Sequence, residues 1–425
     1  MDDLAQPRLR VLFLARLFAG LKPGLAEGRW KPAGVPAIYH LLEGLYADPE
    51  VDLLTVFCVK EADARFAKRI RRRIAGIGDT IILPYRTWLG PQTRSLNTAA
   101  TELDSATRIL ALAARFRPDL VYASYATLLP AALLARAGYK VVLRFLGVVP
   151  HHREIASGGS PVFRFLLRSP FAYVLSTEDG SDPAAVVPKL LRPGTSWSVR
   201  LNGCDAGLRG GEAPASDTAE ETRERTVVLF VGRLEPYKGA LDFIEAALAL
   251  LKSMPDGADF ILVGDGPLKA EMQGRVEAAG GSARIRFVGS KPHAEVARYL
   301  AQADIYVSTN MYGNLSNANL EALGAGTCLV LPTSDKALPL DTVTDTLIPG
   351  DVARRYDRNG LPGSLAETLG DLIRSPAEIA ERRMRTAELA RKLLKPWAQS
   401  VAEDLALLKS IARCSSAPAV ASQRS

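Results

Sequence analysis

Arg233 and Lys238 head the residues of this chain whose setting points to chemistry. They stand in Val231-Gly232-Arg233-Leu234-Glu235-Pro236-Tyr237-Lys238-Gly239, where an apolar run ends in glycine and an amphipathic stretch follows. Two fixed cations thus flank a turn. Gly232 has no Cβ, so a ligand could approach the backbone closely there. Gly239 falls where a helix N-terminus would offer free N–H groups and the positive end of its dipole. Together these suit a diphosphate, although a strand-to-helix connection with two solvated cations would read the same way.

Two further stretches share the theme. Leu262-Val263-Gly264-Asp265-Gly266-Pro267 is again a strand pattern ending in glycine, and Pro267 suits a first helical turn. By itself an Asp-Gly turn is common. The third runs from Asn314 through Ser316, Asn317 and Asn319 to Glu321, and ends in Ala322-Leu323-Gly324-Ala325-Gly326. Ser316 or Asn317 can cap a helix, which puts Glu321 in about its second turn. A carboxylate there can accept two ribose hydroxyls, as the acidic residue of dinucleotide folds does. A solvated helix face is the plain alternative.

These residues need a frame to hold them. A chain of 425 residues is long for one core, and its 48% apolar and 23% charged residues are ordinary for a globular protein, so two domains are expected. Short apolar runs alternate with amphipathic stretches, the signature of βαβ units and a doubly wound parallel sheet. In the first half, strands are expected at 10–15, 51–59, 80–83, 120–124, 141–145, 172–176 and 198–201, with helices at 35–46, 62–74 and 100–115. Residues 206–225 are small, polar and acidic and read as a linker. A second α/β series has strands at 227–231, 260–263, 285–288, 305–308 and 328–331, and helices beginning near Gly239, Pro267, His293, Asn317 and Ser364. The expected domains are 1–205 and 226–395, with a terminal helix over 396–412 and a disordered tail over 413–425.

In joint order, VGRLEPYKG, LVGDGP, FVG and the Asn-rich loop leading to LEALGAG resemble the retaining glycosyltransferases of family 4. Ala33-Gly34-Val35 resembles that family's glycine-rich loop, Leu201-Asn202-Gly203-Cys204-Asp205 its hinge segment, and Lys395-Pro396-Trp397 the start of its terminal helix. The resemblance implies a GT-B fold, two Rossmann-like α/β domains facing each other across a cleft, and a nucleoside-diphosphate sugar as donor. It places Arg233 and Lys238 on the donor diphosphate, Glu321 on the ribose, the backbone of Gly289–Lys291 near the base, and Gly34 near the phosphates. Gly232, Gly239 and Gly264 join the same donor site. Two departures stand out. The family's first glutamate, separated from the second by seven residues, corresponds to Gly313; Asn314, Ser316, Asn317 and Asn319 offer amides and a hydroxyl for the sugar instead. The family's histidine after the fifth strand is also missing from Val142–Gly147, where Arg144, His151 and His152 are the nearest candidates for an acceptor-side or catalytic role.

The implied reaction is retaining transfer of a sugar from a UDP- or GDP-sugar to a glycan or glycolipid precursor, the setting of cell-envelope polysaccharide synthesis. Arg233, Lys238 and a helix N-terminus would stabilise the leaving diphosphate electrostatically, so neither a metal nor another cofactor is expected. A nonenzymatic scaffold that binds nucleotide without turnover and a nucleotide-sugar epimerase stay open as alternatives.

Charge adds a partner. Residues 1–205 hold 27 Lys and Arg against 18 Asp and Glu, which is more than the whole net +7 of the chain. Segment 60–74 reads as a basic helix with Phe66, Ile70 and Ile74 on one face. That suits either an anionic membrane surface or packing on the sheet. A lipid-linked acceptor would fit the former. The basic run lacks interleaved aromatics, which argues against nucleic acid. Four scattered cysteines without a CxxC pair, and no signal-peptide pattern, fit a cytoplasmic setting, peripheral on the membrane's inner face where the basic segment engages it.

Overall fold

The structure, a computed structural model, describes residues 8–88, 93–205, 225–335 and 341–414. These pack as two units. One holds the described residues of Met1–Glu178, Pro183–Asn202 and Ala398–Ser425; the other holds those of Asp179–Asp182 and Gly203–Trp397.

The first unit is built on eight strands: β1 (Leu9–Arg16), β2 (Val51–Cys58), β3 (Ile70–Ile74), β4 (Gly78–Leu83), β5 (Leu120–Ser124), β6 (Val141–Phe145), β7 (Tyr173–Thr177) and β8 (Trp197–Arg200). Their spatial order is β3-β4-β2-β1-β5-β6-β7-β8, and every neighbouring pair but β3/β4 is parallel. Parallel strands are covered on both faces, so they read as unbroken apolar runs. Along β1 the side chains alternate between two cores. Leu12 and Leu14 join Ile109 and Ala113 of helix Arg94–Phe116 on one face. Val11, Phe13 and Ala15 join Ile38, Leu41 and Leu42 of helix Pro36–Ala47, with Leu408 and Ile411 of helix Trp397–Arg413, on the other. Each such fully buried aliphatic or aromatic side chain contributes about 1.5–3 kcal/mol.

The expected helix at 62–74 is overturned. Residues Ala64–Phe66 form a 3-10 turn, capped by Asp63, which accepts the Arg65 N–H at 3.1 Å. Residues Ile70–Ile74 are the antiparallel edge strand β3. A four-residue spacing satisfies both a helical face and period two, so Ile70 and Ile74 could not discriminate. The deciding feature is the hairpin that follows, with Gly76 and Gly78 at φ +93° and +70°. Helix Arg94–Phe116 also begins six residues earlier than expected.

The second unit has six parallel strands: β9 (Thr226–Val231), β10 (Ala258–Val263), β11 (Ile285–Gly289), β12 (Ile305–Val307), β13 (Cys328–Pro332) and β14 (Arg354–Tyr356). The spatial order is β11-β10-β9-β12-β13-β14. Counted within the unit this is 3-2-1-4-5-6, the Rossmann order, and the chain reverses direction across the sheet between β9 and β12. Strand β14 and the helix Pro376–Leu393 have no counterpart in the sequence reading. Strand β14 is three residues long and contains two arginines. The expected linker falls outside the described residues apart from Arg225, and so does the expected tail beyond Cys414.

Candidate donor site at the switch point of the second domain

In open α/β sheets ligands bind beyond the carboxyl ends of the strands, at the point where strand order reverses. Three of the glycines singled out from sequence line that end. Gly232 follows β9, Gly264 follows β10, and Gly289 closes β11. Gly232 N–H donates to Val263 O at 3.0 Å, and Gly264 N–H to Gly289 O at 3.0 Å. Gly264 has φ +145°, and a Cβ there would lie 1.8 Å from Gly232 O. This shelf of backbone therefore requires glycine at its centre.

The cationic turn is tied to the loop after β12. Thr309 Oγ1 donates to Lys238 O at 2.7 Å, and Met311 N–H to Tyr237 O at 3.1 Å. Gly239, at φ +64°, caps the 14-residue helix Ala240–Ser253, and a Cβ on it would meet Thr309 O at 2.4 Å. Burial pushes the Lys238 ammonium below its ordinary range, while Asp179 and Glu235 pull it back up. Arg233 is exposed and ion-paired with Glu235. The two predicted cations thus differ: Lys238 is half-buried within the electrostatic influence of two carboxylates, whereas Arg233 reaches solvent and can re-pair with an arriving anion.

Ser316 occupies the N-cap of helix Asn317–Gly324 in extended conformation. Its hydroxyl turns to Asn319 Oδ1 at 3.1 Å rather than to a free backbone N–H. Asn317 begins the helix, and Glu321 lies in the second turn as expected. Burial raises the Glu321 carboxyl to about 7. Its Oε1 sits 3.6 Å from His293 Nδ1.

Asn314 and Asn319, expected from the sequence to offer their amides to the sugar, turn inward. Both are buried. The Asn314 carbonyl oxygen accepts from Ser308 Oγ at 2.6 Å, and its amide donates to Asp341 Oδ2 and Asn310 O. Asn319 Oδ1 accepts from Tyr306 OH at 2.8 Å, and Nδ2 donates to Asn314 O at 3.0 Å. These amides build the loop instead of reading a sugar. Asp341, fully buried, also accepts the Asn314 backbone N–H at 2.8 Å. Asp341, Tyr306 and Asp179 are the residues sequence reasoning missed. The bonds that tie them into the site, Tyr306 to Asn319, Asn314 to Asp341 and Leu315 to Asp179, span 13 or more positions, so no local pattern marks them.

The first-domain candidates separate. Arg144 is buried, donating to Thr177 Oγ1 at 2.8 Å and facing Asp404 at 3.5 Å, while Arg200 holds the other Asp404 oxygen at 2.9 Å. Arg144 is therefore a structural ion-pair residue, which corrects its acceptor-side candidacy. His152 is buried between Tyr125 and Phe145, with ring centroids at 4.3 and 5.2 Å. Its Nδ1 accepts the Val149 N–H at 3.2 Å, which puts the ring proton on Nε2. Burial lowers its pKa to about 4, so it stays neutral, and Nε2 has no partner among the described residues. That atom can donate a hydrogen bond but cannot act as a base. His151 is half-buried, 3.6 Å from Glu154. Gly34 and Val35 both adopt left-handed conformations leading into helix Pro36–Ala47, and a Cβ on Gly34 would meet nothing within 4 Å.

Comparison with known proteins adds likenesses over part of the sequence and over the fold. The model of the glycosyl transferases group 1 family matches residues 215–393. A 174-residue stretch is 33% identical to the 2-deoxystreptamine N-acetyl-D-glucosaminyltransferase of Streptomyces fradiae, covering 39% of this chain and 37% of that protein. A 115-residue stretch is 29% identical to the phosphatidylinositol N-acetylglucosaminyltransferase GPI3 subunit of Saccharomyces cerevisiae, covering 27% of this chain and 25% of that protein. The match thus spans well under half the length of either relative. Among solved structures, sucrose-phosphate synthase from Thermosynechococcus elongatus superposes with TM-score 0.68 at 17% identity, covering 95% of this chain and 98% of that one. Anabaena HepE in complex with UDP gives 0.63 at 17% identity, covering 95% and 100%. These likenesses give the fold: two Rossmann-like domains of the GT-B type.

Proposed function

We propose that this chain is a retaining glycosyltransferase that moves a sugar from a UDP-sugar to a glycan or lipid-linked acceptor. The observation that carries the reading is the gathering of the glycine shelf, Lys238 and the loop after β12 at the switch point of a group 1 domain. The UDP and UDP-glucose bound in the structures of Anabaena HepE favour a uridine donor. In this reading Arg233 and Lys238 take the diphosphate, Glu321 takes the ribose, and Gly289–Lys291 border the base. The bond from the sugar's anomeric carbon to the diphosphate breaks, and a bond from that carbon to an acceptor oxygen forms on the same face. The acceptor's proton passes to the departing phosphate oxygen, giving a glycoside and UDP. The cations offset charge that grows on the leaving group, an effect worth about 2–4 kcal/mol of transition-state stabilisation in comparable sites.

Two surfaces of the first domain support an acidic or lipid-linked acceptor. Helix Pro161–Leu167 exposes Val162, Phe163 and Phe165, with Arg164 on the same helix and Arg168 at its end. A cavity of about 470 Å³ near the β3/β4 edge is lined by Arg10, Arg69, Arg71, Arg108 and Arg115 against Asp52 and Asp79, a net cationic set over an apolar floor that includes Ile81 and Phe116. No described helix is long and apolar enough to cross a membrane. The test is UDP release from UDP-glucose and UDP-N-acetylglucosamine, with and without lipid extract. Sugar recovered on an acceptor with its anomeric configuration kept supports the proposal. Tight UDP binding without release or transfer would favour the scaffold.

A further inference from the structure

We infer that Asp179 supplies the donor-sugar carboxylate that the family's motif would place at residue 313, delivered in this chain from the segment after β7. The inference rests on the donor-site reading above. The side chain lost at one position is regained in space from another.

The geometry shows why position 313 is glycine. Residues Asp179–Asp182 belong to the second unit, apart from the sequence on either side. Their backbone runs directly against the loop after β12. A Cβ on Gly313 would lie 2.4 Å from Asp179 O and 3.0 Å from Ser181 N. Leu315 N–H donates to that same Asp179 O at 2.9 Å. The fit is reciprocal, because a Cβ on Gly180, at φ +93°, would lie 2.5 Å from Asp341 Oδ1 and 2.6 Å from Asn314 N. Two glycines therefore let the two segments touch. A glutamate at 313 and the present path of 179–182 exclude each other.

The side chain carried in by this contact is an aspartate. Its Oδ1 accepts both the backbone N–H, at 3.1 Å, and the hydroxyl of Ser181. Oδ2 accepts no hydrogen bond among the described residues, and the residue stays partly open to solvent. The charges of Asp179 and Lys238 act on each other. A partly exposed carboxylate, held through Oδ1 by Ser181 and under the electrostatic influence of the half-buried Lys238, can accept a hydrogen bond from a hydroxyl of the transferred sugar. It would also stabilise positive charge developing at the anomeric centre. Charged groups around this segment are Lys238, Asp341 with Arg358 behind it, and Glu178 and Asp182 in the adjoining chain. Burial raises the Asp179 carboxyl to about 6, against the lowering effect of Ser181 and Lys238. The carboxylate form is thus lost as pH falls through about 6.

The experiment compares wild type, Asp179→Asn, Asp179→Glu and Ser181→Ala in the full chain, measuring the Kd of UDP and the kcat of sugar release from the UDP-sugar the wild type uses. The expected result is a UDP Kd within about twofold of wild type in Asp179→Asn, with kcat lower by about 100-fold and partial recovery in Asp179→Glu. The acid limb of wild-type kcat near pH 6 disappears in Asp179→Asn. It moves to higher pH in Ser181→Ala, because a hydrogen bond to the charged form is lost. Unchanged kcat and an unchanged acid limb in Asp179→Asn would overturn the inference and leave the donor-site reading standing. So would an equal loss of UDP and UDP-sugar affinity with a lowered melting point, which marks a structural role. Should Asp179→Asn not fold, an unshifted limb in Ser181→Ala overturns it alone. A wild type that neither binds UDP nor releases sugar removes the donor-site reading, and this inference with it.

Discussion

Replacing Glu321 by Gln tests the donor site through its own titration. The carboxyl is held at about 7 by burial, so near neutral pH it is half protonated in the empty domain. A ribose diol donates two hydrogen bonds best to the ionised form. Taking 7 as the midpoint, the ionised fraction is about one-tenth at pH 6 and about nine-tenths at pH 8. Affinity for a UDP-sugar should therefore rise about tenfold over that interval, or about 1.4 kcal/mol. A UDP-sugar is the right probe because its diphosphate is esterified at both ends and does not titrate there, unlike the terminal phosphate of UDP. In Glu321→Gln the rise should vanish. His293 lies 3.6 Å away, so the series is repeated in His293→Asn, where the rise should survive. Stability runs the other way. A carboxyl whose folded pKa exceeds its unfolded value favours the folded state at low pH and loses that contribution as pH climbs from about 4.5 to 7. The empty Glu321→Gln protein should accordingly be the more stable at pH 8, by up to about 3 kcal/mol, and indistinguishable from wild type near pH 4.5. Calorimetric titration at pH 6, 7 and 8 decides the matter. A pH-independent wild-type affinity, or a tenfold rise that persists in Glu321→Gln, would refute the reasoning.

Three other outcomes follow from the geometry. Gly264→Ala drives a Cβ to 1.8 Å from Gly232 O and should cost more than about 3 kcal/mol or abolish folding, whereas Gly289→Ala meets open space and should cost only the about 1–2 kcal/mol of its positive φ; urea unfolding separates them. Lys238→Met should lower kcat by about 100- to 1,000-fold, and wild-type transfer should persist in EDTA, because the cations are built into the protein. Asp404→Ala leaves Arg144 buried opposite no carboxylate and should destabilise the first domain by about 3 kcal/mol in the same unfolding assay.

Most of the frame was readable because parallel strands buried on both faces write themselves as apolar runs. Strands β5 and β6 fall where the sequence put them, and Gly264 and Gly289 mark strand ends because the backbone there leaves no space or demands positive φ. The edge was not readable. Ile70-Arg71-Arg72-Arg73-Ile74 fits a helix and a strand equally, and only the hairpin formed with β4 settles it. In the site, Glu321 was legible because it sits on a helix behind an Asn-rich cap. The orientation of Asn314 and Asn319 was not, because it is fixed by Asp341, Ser308 and Tyr306. Asp179 lay further out of reach. Thr177-Glu178-Asp179-Gly180-Ser181-Asp182 reads as a polar turn after a strand, and nothing local says that it packs on Gly313.

The claim at the centre of this account is that the second domain binds a nucleoside diphosphate through Lys238, Arg233 and Glu321. A melting-point panel of UDP, GDP, ADP and CMP with their sugar conjugates, run on wild type beside Arg233→Ala, Lys238→Met and Glu321→Ala, tests it most directly. The account predicts a shift with UDP, a larger one with one UDP-sugar, and loss of both in the variants. No shift with any nucleotide, or one that all three variants retain, would contradict it.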